Sequence, residues 1–100
     1  MTVKAKIYLL TPEEGCRKAS IKSGYRPNHV FEKPNNIKEI HTHVGEFQFS
    51  DQDIIQPGQT KTVNVVFLRN PIIEKYIKVG QKWLIYEVSR LVAEGEIIEV

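Results

Sequence analysis

Two histidines, His41 and His43, stand two residues apart. On an extended chain both side chains point the same way, which is how a pair of metal ligands begins. A metal needs at least one further ligand, and His29, Glu39 and Asp51 are the candidates. The spacing matches no defined zinc pattern, so no metal is expected. The single cysteine, Cys16, has no histidine near it in sequence to draw off its proton. No carboxylate pair or nucleophile–base arrangement stands out elsewhere, so the chain is not expected to be an enzyme. The remaining chemistry is ionic. Arg17 and Lys18 follow Cys16 in a polar stretch with little structural duty, and a guanidinium there can fork onto a phosphate.

Charge distribution supports an anionic partner. The net charge is +2, but residues 1–38 carry eight Lys/Arg against three Glu, and residues 39–100 carry six against nine acids. A basic half attracts anions, and with nucleic acid the gain comes through counterion release. One cysteine cannot form an internal disulfide, which fits a reducing cytoplasm. The apolar run in "MTVKAKIYLL" is too short for a signal peptide. No stretch approaches the ~20 apolar residues of a membrane helix.

The elements that must position these groups are short strands. In "VKAKIYLL" Val3, Ala5, Ile7 and Leu9 fall on one face, with Lys4, Lys6 and Tyr8 on the other. "TPEEGCRKASIKSG" reads as a long polar loop, a length that is often functional. "YRPNHVFEK" reads as a strand entered through Pro27, which cannot donate to a ladder. "IKEIHTHVGEFQFS" is strand-like with an interruption expected near Gly45. "TKTVNVVFLR" is the clearest strand, and "NPIIEKYIKVG" has room for one helical turn. "QKWLIYEV" and "RLVAEGEIIEV" complete the set, joined tightly at Ser89-Arg90, with a bend or bulge expected at Gly95. Trp83 and Ile85 line one face; Leu84, Tyr86 and Val88 line the other. Six short strands without a long helix predict a single all-β domain over residues 1–100, a sandwich or small closed barrel.

The stretch "EEGCRKASIKSGYRPNHVF" resembles the start of the C-terminal domain of elongation factor Tu and its translational GTPase relatives. There a Gly-Gly-Arg-His loop leads to Gly-Tyr-Arg-Pro, and Glu14 to Pro27 fits without a gap. "QPGQ" stands where the family has Met-Pro-Gly-Asp. "RNPI" stands where it has a hydrophobic-Lys-Pro segment, and "KWLIYEVSRLVAEGEI" follows the family's last two strands. The resemblance implies a six-stranded antiparallel closed β-barrel, and the chain is read as a non-catalytic, stand-alone binding module of that kind. It implies contact with tRNA or another RNA backbone, or with a translation factor or GTPase. The chain has no Walker-type glycine loop, so it is no GTPase itself.

Carried over by position, Arg17 matches the family's loop arginine. Lys18 replaces its histidine, Asn28 its glutamine, and Glu87 matches its T-stem glutamate. Those four form the implied RNA or anion contact surface. Val88 replaces a glycine and Asn70 a lysine. Gly24, Tyr25, Arg26 and Pro27 are read as structural, shaping a strand entry with an ion pair through Arg26. Arg90 and Gly95 are read as structural too, with Glu87 a possible carboxylate partner for Arg90. The alternative reading is a protein-binding or self-associating barrel that uses apolar area on the last two strands.

Overall fold

In the computed structural model, which describes residues 1–15, 19–32 and 42–100, the strands close on themselves. β1 (Thr2–Leu9), β2 (Asn28–Val30), β3 (His43–Gln48), β4 (Thr60–Phe67), β5 (Lys82–Glu87) and β6 (Arg90–Glu99) form an antiparallel barrel in the order β1-β4-β3-β2-β5-β6. Closure leaves no open sheet edge. The alternation read in the first strand is realised, with Val3, Ala5, Ile7 and Leu9 buried and Lys4 and Lys6 exposed. Val63, Val65 and Phe67 of β4 meet them inside, together with Ile85, Val92 and Ile97.

Two short helices, α1 (Pro12–Gly15) and α2 (Pro71–Glu74), punctuate the barrel. α2 is the helical turn expected after "RNP". Asn70 caps it by accepting from the backbone N–H of Ile72 and Ile73, and Pro71 sits in its first turn. α1 corrects the reading of residues 11–24 as loop throughout. Thr11 and Glu14 form a reciprocal cap: the Glu14 N–H donates to Thr11 Oγ1, and Glu14 Oε1 accepts from the Thr11 N–H at 3.0 Å. The spelling "TPEE" carries that box.

Gly45 and Gly95 do not interrupt or bend their strands as expected. Gly45 pairs in register with Phe67, and Gly95 pairs with Ile7 and Trp83. The irregularities fall instead at Lys4/Ala5 and at Ile85/Tyr86. Both glycines are there for space. A Cβ on Gly45 would lie 2.8 Å from the His29 ring and from the Phe67 ring. One on Gly95 would lie 2.7 Å from the Trp83 ring.

Those rings make the centre of the core. Trp83 stacks on Phe31 and meets Phe67 edge-on, and His29 meets Phe47 and Phe67 edge-on. The Trp83 indole N–H donates to His29 Nδ1 at 2.9 Å. Indole nitrogen is a donor only, so His29 carries its proton on Nε2 and gives it to the Gly45 carbonyl at 3.0 Å. His29 is fully buried. Burial is the main cause that lowers its pKa to about 4, against a smaller upward effect of the Gly45 hydrogen bond.

Candidate functional site

The sequence points to one end of the barrel, where β5 turns into β6. Glu87 and Arg90 are opposite each other in register, so the connecting turn is Val88–Ser89 rather than Ser89-Arg90. One register step away, Tyr86 is opposite Asn28 on β2 and Leu91 on β6. Asn28 and Glu87 therefore lie at the same end of the barrel, with Asn28 on the face of Tyr86 and Glu87 on the other. The Tyr25 hydroxyl donates to Glu87 Oε1 across 62 residues of sequence and holds the carboxylate against the entry to β2. Among the described residues no ion pair joins Arg90 to Glu87.

Tyr25 itself sits half-buried on the core, edge-on to Phe47 at 5.7 Å. Gly24 precedes it at φ +95°, and its N–H donates to the Phe47 carbonyl. Arg26 donates through Nε to Glu46 Oε1 at 2.9 Å. The Glu46 carboxyl is held below the ordinary carboxylate range by its hydrogen bond from Gln48 and then by Arg26. Pro27 enters β2, where it needs no donor. Of these side chains, Tyr25 bonds Glu87. Arg17, Lys18 and Cys16 lie outside the described residues, between Gly15 and Ala19. A Cβ on Gly15 would lie 2.8 Å from the Leu91 carbonyl, so the chain leaves the described residues close to the partner strand of Tyr86.

Val88, at the tip, is 90% exposed and has φ +56°. A β-branched side chain is poorly suited to that left-handed conformation. Replacing Val88 by glycine is expected to stabilise the fold by about 1 kcal/mol. Chemical denaturation of the two proteins checks it.

His41 and Glu39 also lie outside the described residues. Of the other metal candidates, His29 has both ring nitrogens committed inside the core. His43 is nearly buried, and its Nδ1 is 3.4 Å from the Asn70 amide nitrogen. Among the described residues no group of three His, Cys, Asp or Glu could hold a metal ion.

Two features escaped sequence reasoning. Val44 and Leu68 stand side by side, the Leu68 N–H donating to the Val44 carbonyl, and both are exposed, as is Ile72. A groove of about 440 Å³ also crosses the outer wall between Lys6 and Leu84. Its residues are scattered along the chain, so no local pattern announced it. No helix among the described residues is long and apolar enough to cross a membrane. Compared with models of known protein families, the chain matches the elongation factor Tu C-terminal domain across residues 1–100.

Proposed function

The chain belongs to the elongation factor Tu C-terminal domain family, and from that membership we propose a non-catalytic translation-factor module that binds RNA backbone through the end bearing Glu87. Family membership supports the class of role. The observation that supports the finer reading is the Tyr25–Glu87 bond, which fixes Glu87 at the barrel end where Asn28 pairs with Tyr86. A carboxylate has room for several donors, and a ribose 2′-hydroxyl is one that distinguishes RNA from DNA. The Asn28 side chain, exposed on β2, adds an amide that both donates and accepts. Arg17 and Lys18 would supply the phosphate contacts, giving affinity without sequence choice.

The test is retention of tRNA by the purified protein across a salt series. Arg17→Ala with Lys18→Ala is expected to abolish retention near physiological salt. It should also shrink the slope of log affinity against log salt by roughly 1.5 to 2. An unchanged slope rejects the RNA reading. The exposed Val44, Leu68 and Ile72 favour a second reading, a protein partner. Capture of a translation factor that survives ribonuclease, resists salt and is lost on Leu68→Glu would move the function there.

A further inference from the structure

The outer wall of the barrel away from Glu87 carries an unusual arrangement of charge. Register places Lys6 of β1 and Lys82 of β5 on either side of Glu96 of β6, in one row. In the next row Tyr8 and Leu84 flank Glu94. All six line the groove of about 440 Å³. Opposite charges directly across a strand pair usually close on each other. Among the described residues Lys6, Lys82, Glu94 and Glu96 make no ion pair or side-chain hydrogen bond, whereas Lys4 meets Glu99 on the same wall at 3.5 Å. Tyr8 gives its hydroxyl to Glu14 at 2.6 Å, which holds its ring over the groove.

A surface of this kind selects its partner by sign. A polyanion meets Glu94 and Glu96, and a polycation meets Lys6 and Lys82, so a partner of either uniform charge meets repulsion on this wall. The complement is a surface of alternating sign with apolar area between, and the groove itself is one. A two-fold axis parallel to the strands, between β1 and β6, keeps the rows and exchanges the strands. It sets Lys6 of each copy on Glu96 of the other, and Tyr8 of each beside Glu94 of the other. Each contact then occurs twice, as an isologous interface requires. The same axis sets Lys82 and Leu84 of one copy over Thr62 and Thr60 of the other's β4, which extends the contact to the flanking strands.

We infer that the groove between β1, β6 and β5 is the self-complementary contact of a homodimer, with a second copy of this chain as its occupant. This goes beyond the RNA reading and uses the end of β5 distant from Glu87, so either can fail without the other.

Sedimentation equilibrium from about 10 μM to about 1 mM at low salt should show a dimer with a dissociation constant on the order of 10–100 μM, weakening as salt rises. Lys6→Glu and Glu96→Lys, each alone, put like charges face to face across the two-fold. Each should raise the dissociation constant at least about tenfold. Mixed in equal amounts, the two variants should pair with each other, since each then faces the opposite charge. Lys6→Gln gives a weaker form of the same loss without like-charge repulsion inside one chain, and circular dichroism confirms that each variant is folded. A wild-type chain that stays monomeric to about 1 mM overturns the inference and leaves the groove to another occupant. So does a dimer indifferent to both single substitutions, or a mixture that fails to associate.

Discussion

His29→Ala is expected to lower the unfolding free energy by about 4 kcal/mol. The imidazole links three strands that are distant in sequence, taking the Trp83 N–H on Nδ1 and giving its own N–H to Gly45. Truncation leaves an indole donor and a carbonyl acceptor buried without partners, and it opens a cavity against Phe47 and Phe67. Urea denaturation measures the loss, and a loss under about 1 kcal/mol would contradict the bridging role.

The same residue sets a pH dependence with a definite sign. Its folded pKa of about 4 lies below the ordinary 6.5. The unfolded chain therefore binds the proton first as pH falls. Stability due to the neutral ring is fully present above about pH 6.5, and it declines to a floor near pH 4. The total is about 3 kcal/mol, from a gap of roughly two and a half pKa units. Protonation also makes Nδ1 a donor, facing the Trp83 N–H that it had accepted. Melting temperatures between pH 7 and pH 4.5 should fall by roughly 10–20 °C in the parent. Across the same range they should fall much less in His29→Gln. Equal slopes in the two proteins would assign the acid sensitivity elsewhere.

Gly95→Ala is expected to cost about 3 kcal/mol, from the addition of a single methyl group. The new Cβ would stand 2.7 Å from two carbons of the Trp83 ring. The ring cannot swing aside cheaply, being bonded to His29 and stacked on Phe31 with centroids 5.4 Å apart. For a domain of this size the melting temperature should drop by roughly 12–24 °C. A double-mutant cycle with Trp83→Phe isolates the clash. The smaller ring should relieve it, so the two effects should fall short of additivity by at least about 1 kcal/mol. Full additivity would place the cost of Gly95→Ala in the strand backbone instead.

What the sequence determined by itself is local and periodic. Val3 through Leu9 alternate because an extended chain turns successive side chains to opposite faces. That period exposed the strands and their inward residues before any partner was known. The Asn70-Pro71 helix start and the Pro27 strand entry are also readable, because capping and the missing N–H act within a few residues. The run Glu14 to Pro27 carried the family resemblance, and the family match extends it to the whole chain.

What only the tertiary structure decided are contacts between residues that the chain places far apart. Gly95 looked like a bend, because a glycine in isolation reports only backbone freedom; its reason is the Trp83 ring on the neighbouring strand. In sequence His29 is one of three candidates for a third metal ligand; Trp83, 54 residues away, and Gly45 hold its two nitrogens. Glu87 accepts from a tyrosine 62 residues upstream, a bond that nothing local in the sequence announces. Lys6, Lys82 and Glu96 form a row only because antiparallel closure brings the first and last strands together. Periodicity tells which way a side chain faces, but register and closure choose what it faces, and those depend on every strand at once.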